Sequence, residues 1–495
     1  MRIDNLTQEK LREYCDNLYN YVKKNNELVE TRYIDLGVKT LKVLNYSKEF
    51  THLMEKQLAY SIKDNADKYD ATLILWKEPN VNQVYKEIEP KFNLKYDLKK
   101  RLEMIVHGIK GQDLWVMDKT YSKTSPLMYA DIYRNITEAY DRENETYFLG
   151  AQNLDPEEFI KEGHIFVQIF NKVLKTETTN LVHGASVGID GNGILFCARG
   201  QRGKSTLVVL SMMEGFEYVS DDYLTIQKEG DKLYTYPIYS IITLSPRMYN
   251  ELFDKLKNSR FLFNNARKDK YVISIANFHD RFRSKYPIKF CMFPEIVSDA
   301  EPSITVCSRE EKGRAIVQLV QSSVFQMQDV HNHKVIKKIT DMVKDYAFYK
   351  INLCNDIKKN TEFLREFAKQ YKPVENKVTI DRMLTDITFD LANILDSEEG
   401  VIYSMNKFAT SIYDNLLKGI SRENIIGALG TIKDMPLSIV KDMDILIREI
   451  NGLNLLKDVV PTDKKAYINP EFVKECNFRL SFVKYEDDKV RELVK

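Results

Sequence analysis

At 495 residues, 43% hydrophobic and 29% charged, the chain has the balance of a soluble globular protein of about two to four domains, large enough to bury a sizeable core. Lys and Arg number 73 against 72 Asp and Glu, a formal net charge of +1, so no global field draws it to nucleic acid or to an anionic membrane, and neither is expected as a partner. Its six cysteines, Cys15, Cys197, Cys291, Cys307, Cys354 and Cys476, are scattered without a CxxC pair or a Cys/His cluster at metal-ligand spacing, the pattern of reduced thiols.

The chain opens on MRIDNLTQEKLREYCDNLYNYVKKNN, a charged helix rather than a signal peptide, and no apolar run approaches the roughly 20 residues a membrane helix needs, so a cytoplasmic location is expected. YIDLGVKTLKVL then alternates and DATLILWK is a short apolar run, which together suggest a mixed α/β region over residues 1–150. In LDPEEFIKEGHIFVQIFNKVLK, Asp155 can cap, Pro156 suits the first turn, Glu158 completes a capping box, and Phe159, Phe166, Ile169, Phe170 and Val173 form an apolar stripe, so a helix is expected to begin a second domain over 151–372. LVHGASVGI and GILFCA follow as strands around the turn DGNG, a strong hairpin signal. Further on, IKFCMFPEIV and SITVCS read as strands closing a sheet, with REEKGRAIVQLVQSSVF and VIKKITDMVKDYAFYKINLC as helices packed over it. The polar AKQYKPVENK at 368–377 reads as a linker. Residues 376–460 make a third segment and 461–495 a C-terminal tail.

Positions 198–205 read A-R-G-Q-R-G-K-S, which meets the phosphate-loop pattern G-x-x-x-x-G-K-[ST] except that Ala198 stands for the first glycine. Gly200 and Gly203 permit the turns that aim backbone N–H groups at phosphate oxygens, and the helix begun at KSTLVVL adds the positive end of its dipole. Arg199, Gly200, Gln201, Arg202, Gly203, Lys204, Ser205 and Thr206 are therefore the candidate nucleotide-binding residues. Lys204 would neutralise the β- and γ-phosphates of ATP, and the Ser205 hydroxyl would join the Mg²⁺ shell. A methyl at Ala198 is tolerable only where that position does not need a positive φ. The acids Asp221 and Asp222 end a second apolar segment, GFEYVSDD, expected to lie in the same sheet. One aspartate suffices to hold Mg²⁺; a second suggests a base for a hydroxyl nucleophile, because phosphoryl transfer needs little beyond positioning, charge neutralisation and proton removal.

These residues resemble the nucleotide site of the HPr kinase/phosphorylase family, related in fold to phosphoenolpyruvate carboxykinase. HGASVGI at 183–189 resembles the family's H-G-x-x-V-x-I strand, GQRGKS its G-x-x-G-K-S loop and VSDD its A-D-D, with Asp221 lying 221 − 204 = 17 residues after the lysine. The resemblance implies that His183 sits near the transferred phosphate, that Asp221 is the acid/base, and that Asp222, with Ser205, holds the metal. The family's downstream E-I-R-G-L-G signature is absent, so neither the reverse phosphorylase reaction nor HPr as substrate is implied. In the basic run NNARKDKYV, Arg267, Lys268 and Lys270 read as a solvated loop with substrate contact as the alternative.

In the third segment, the strand of FDLANIL, a SEEG turn, the strand VIYSM and three short helices suggest a winged-helix fold. Phe408, Ile412, Leu416 and Leu417 fall on one helical face, and Ser421 caps a helix carrying Ile425, Ile426 and Leu429. GVIYSMNKFATSIYDNLLKG and the closing EINGLNLL resemble the PqqD family, which recognises peptides in pathways that modify ribosomally made peptides. A DNA-binding winged helix would instead concentrate Lys and Arg on one helix, which this segment does not. The resemblance implies that the leader of a precursor peptide adds as a strand at an exposed edge, expected in FDLANIL.

Together these readings describe an α/β kinase core of the HPr kinase/phosphoenolpyruvate carboxykinase type, with an N-terminal α+β region and a C-terminal PqqD-like domain, using ATP and Mg²⁺ to phosphorylate a Ser/Thr hydroxyl of a peptide. A kinase for free serine or for a regulatory protein is the first alternative. A nucleotide-gated binding protein without transfer, favoured by Ala198, is the second. The related kinases commonly assemble, which leaves a homo-oligomer open.

Overall fold

The alternating segment near the N-terminus forms a strand with its apolar side chains on one face, and the apolar run after it forms a strand buried on both faces. Leu41 and Val43 of Thr40–Tyr46, and Leu73, Leu75 and Trp76 of Ala71–Lys77, are buried. Those two strands are parallel, and they lie in a seven-stranded sheet with Glu30–Asp35, Ile62–Lys63, Tyr129–Asp131, Ile136–Asp141 and Thr146–Ala151. The helix Gln8–Asn25 buries Leu18 and Val22 over it. This is a computed structural model; it describes residues 8–77, 129–131, 136–141, 144–151, 164–200, 202–250, 261–265, 270–275, 278, 280–297, 301–327, 329–370, 378–388, 390–486 and 489–494. Asp155, Pro156, Glu158, Phe159, Gln201, Arg267 and Lys268, and most of the 368–377 linker, lie outside the described residues. Among the described residues no helix is long and apolar enough to cross a membrane.

A second, nine-stranded sheet carries the phosphate loop, and its path runs Glu217–Ser220, Ala185–Ile189, Asn192–Phe196, Tyr286–Ile296, Lys232–Pro237, Tyr223–Glu229, Thr179–His183. The DGNG hairpin forms as its sequence demands, with Asp190 at φ 50° and Gly191 at φ 78°, the two left-handed positions of a type I′ turn. LVHGASVGI differs from expectation in being two strands. Thr179–His183 pairs with Tyr223–Glu229, and Ala185–Ile189 pairs with both Asn192–Phe196 and Glu217–Ser220, so the chain changes partners at Gly184. The helix expected from Asp155 is described from Val167 to Leu174, where Ile169, Phe170, Val173 and Leu174 are buried.

The contacts divide the chain into two units, residues 1–305 with 349–374, and 306–348 with 375–495. This differs from the four segments read from the sequence in three ways. The N-terminal region belongs with the phosphate-loop sheet: Ala59 N donates to Ser240 Oγ at 2.9 Å, Tyr60 OH to the Ile275 carbonyl at 2.7 Å, and the Tyr60 ring stacks on Phe282 at 3.9 Å. The helices Arg309–Gln326 and His333–Val343 belong to the second unit. There Gln318 Nε2 donates to Asp386 Oδ1 at 3.0 Å and Lys312 Nζ to the Val378 carbonyl at 2.9 Å, while Gly313 lets the first helix close onto Leu384. The supposed tail contributes the helix Pro470–Glu475 and the strands Phe482–Glu486 and Lys489–Val494.

The second unit thus has a five-stranded antiparallel sheet in the order Met383–Thr388, Leu391–Asp396, Val401–Met405, Phe482–Glu486, Lys489–Val494. The helices Lys407–Leu417, Arg422–Leu429 and Ile439–Gly452 bury Phe408, Ile412, Ile425, Met443 and Leu446 against it. Ser421 Oγ accepts from Asn424 N at 3.3 Å, as a cap should. FDLANIL is not an edge: its strand Leu391–Asp396 is paired on both sides, and the edges are Met383–Thr388 and Lys489–Val494.

Candidate active site

Strand direction brings the candidate residues together. Asn192–Phe196 and Glu217–Ser220 both run antiparallel to Ala185–Ile189, which lies between them, so they run the same way and their C-terminal ends reach one sheet edge. The phosphate loop leaves from the first and Asp221 and Asp222 from the second, two strand spacings or roughly 10 Å apart. His183 enters the same edge, because it pairs with Tyr223 and Gly184 N donates to the Asp222 carbonyl at 3.0 Å.

The loop has the features an anion requires. Gly203, at φ 89°, turns the chain into the helix Lys204–Met213, and no side chain caps that end. The first-turn amides at Lys204, Ser205 and Thr206 therefore stand outside the intrahelical ladder at the positive end of the dipole. A Cβ placed on Gly200 would meet nothing within 4 Å, so there is open space beside the loop. Lys204 is buried, and its Nζ donates to the carbonyls of Ala198 at 2.7 Å and Arg199 at 3.0 Å, which hold the ammonium inside the loop. Ala198 is not at positive φ, so its methyl causes no strain. Arg199, Arg202, Ser205 and Thr206 are half-buried around the loop. Lys270 begins the strand Lys270–Ser274.

The two acids have different surroundings. Asp221 is 1% exposed. Burial, and after it the charge of Asp221, pushes the Tyr218 phenol well above its usual range. Asp222 has a left-handed backbone at φ 63°, and its carboxylate is 19% exposed. His183 Nε2 lies 3.7 Å from its Oδ1, His164 Nε2 lies 3.9 Å from its Oδ2, and Thr243 Oγ1 donates to Oδ2 at 3.2 Å. Thr243 is on the strand Ile241–Leu244, which packs against the loop helix. Of the two carboxylates, then, Asp222 is the accessible one, beside His183.

His164 and Thr243 were not legible as site residues. His164 sits in EGHIF, which reads as mid-helix. In the structure Phe166 adopts φ 60° and the helix starts after it, leaving His164 outside, edge-on to the rings of Tyr223 at 5.0 Å and Tyr239 at 4.4 Å. Its presence among only seven histidines, beside an apolar run, was the one available signal. Among the described residues no group of three His, Cys, Asp or Glu side chains is arranged to hold a metal. Mg²⁺ suits such a site, since it keeps most of its waters and takes one or two protein ligands with substrate phosphates; Ser205 and Asp222 would be those ligands.

Fold and site together define an α/β protein with a glycine loop at a helix N-terminus and a histidine-flanked carboxylate at the same end of the sheet. No protein-family model matches the chain, and no curated protein matches it. Among solved structures, the HPr(Ser) kinase/phosphatase from Coxiella burnetii is similar over 39% of this chain and 94% of its own, at 12% identity and a TM-score of 0.21, a likeness too low to bear on the site.

Proposed function

We propose that this chain is an ATP- and Mg²⁺-dependent kinase that phosphorylates a Ser or Thr hydroxyl of a precursor peptide. The observation that carries the reading is the convergence at one sheet edge of the loop holding Lys204 with Asp222 and His183. Bound ATP with Mg²⁺ supplies the phosphoryl group. The loop amides and Lys204 hold the phosphates and offset their charge, and Ser205 and Asp222 fix the metal side. His183 stands at the reacting end. Asp221, assigned as base by its motif, is buried in this conformation, so either it is reached once substrate opens the turn or Asp222 takes the proton. The rival without transfer rested on Ala198, and its support falls with the unstrained backbone there.

The C-terminal unit is the proposed holder of the peptide leader, with strand addition at an edge of its five-stranded sheet, Met383–Thr388 or Lys489–Val494. Carrying that unit in the same chain as the loop would raise the acceptor's effective concentration to about the mM range. The first test is nucleotide binding. Lys204→Ala removes a charge-assisted contact of about 1.5 to 3 kcal/mol, so Mg·ATP affinity should fall about tenfold or more by titration calorimetry. Equal affinity in the variant would end the phosphate-loop assignment.

A further inference from the structure

The structure assigns to His164 a role that its motifs do not: a positioning residue that works through Asp222. The inference rests on the kinase reading for its chemistry but on geometry alone for the contact. Each oxygen of the Asp222 carboxylate faces its own imidazole, Oδ1 the Nε2 of His183 at 3.7 Å and Oδ2 the Nε2 of His164 at 3.9 Å. Both imidazoles are 7% exposed while the carboxylate is 19% exposed, so the histidines form the inner walls and the carboxylate opens outward. Contacts beyond about 3.5 Å act through charge or a bridging water rather than a direct bond.

His164 is itself held in place. Tyr223 and Tyr239, whose rings lie 6.2 Å apart, both pack edge-on against its ring, and the Tyr239 hydroxyl donates to the carbonyl of the next residue, Ile165, at 2.6 Å. Tyr223 follows Asp222 in the chain and is also 5.6 Å from the His183 ring. One aromatic wall therefore orients both imidazoles against one carboxylate. Thr243 bonds the same oxygen that His164 faces, and the left-handed backbone of Asp222 sets the direction from which the carboxylate enters. His164 thus limits the positions Oδ2 can take, and so fixes where the outward-facing carboxylate meets the reacting group.

The test separates the nitrogen from the ring. His164→Phe keeps the packing against Tyr223 and Tyr239 and removes Nε2; His164→Gln carries an amide nitrogen to about the same place. The expected result is that Phe lowers kcat about tenfold, the scale of one well-placed contact, with peptide KM unchanged, and that Gln recovers most of the loss. A Gln variant as slow as Phe, or a Phe variant as fast as the parent, overturns the role. A thermal-melting cycle of His164→Phe, Asp222→Asn and the double variant needs no turnover: non-additive shifts support the contact and additive shifts overturn it. If the parent transfers no phosphate to any peptide, the kinase reading fails, and the melting cycle still decides for or against His164.

Discussion

Each unit pairs two histidines with oxygen atoms, and the kind of oxygen separates a site from a scaffold. In the second unit His331 Nδ1 lies 2.7 Å from the Glu486 carbonyl and His333 Nε2 3.0 Å from the Tyr485 carbonyl. A backbone carbonyl only accepts, so each imidazole must donate, and the pair fastens the start of the helix His333–Val343 to the strand Phe482–Glu486. In the first unit His164 and His183 face a partly open carboxylate at longer range. The carboxylates repeat the contrast. Asp386, 1% exposed, accepts from Gln318 and Thr388 and is used up in holding helix to strand, whereas Asp222 keeps an exposed face.

The largest effect is expected at the C-terminus. Ending the chain at residue 460 removes Phe482–Glu486 and Lys489–Val494 and uncovers the edge of Val401–Met405. The second unit should lose its cooperative melting transition by near-UV circular dichroism; an unchanged transition would restore the reading of these residues as a tail. Next, Asp222→Asn should lower phosphate transfer about a hundredfold or more. Asp221→Asn made alongside it shows which acid takes the proton, since the base is the one whose loss is not relieved by added Mg²⁺. Asp386→Ala should do the reverse of Asp222→Asn, costing about 1 to 3 kcal/mol in urea unfolding by removing the buried acceptor shared by the Gln318 amide and the Thr388 hydroxyl, with Mg·ATP affinity retained.

Smaller effects sharpen the contrast. His333→Leu should lower stability by about 1 kcal/mol through the lost bond to Tyr485 and leave transfer unchanged, whereas His183→Gln should lower transfer. Glu30 supplies a carboxylate of the scaffold kind in the first unit. Burial by itself raises its pKa, but bonds from Thr51, Arg32 and Asn45 outweigh that and hold it below the usual range. A depressed folded pKa contributes stability above the unfolded value that is lost as pH falls through the folded one. Glu30→Gln should therefore melt slightly lower than the parent at pH 7, the gap closing below about pH 4; a gap that persists there would place its origin in packing.

What the sequence determined by itself was whatever acts within a few residues: the Gly203 turn into a helix, the Asp190–Gly191 hairpin, the Ser421 cap, and the loop with its lysine and two acids in register. Backbone sterics and capping bonds are local, so their signals survive in a single chain read in order. The tertiary structure decided everything that depended on which strand lies beside which. It broke LVHGASVGI at Gly184, gave the helices Arg309–Gln326 and His333–Val343 to the second unit, made FDLANIL an inner strand, and turned the tail into two more. It also told the adjacent acids apart, burying Asp221 and opening Asp222, and drew His164, His183 and Thr243 around the latter from three distant segments. Burial and side-chain convergence are properties of paired strands far apart in the chain, and no local pattern encodes them.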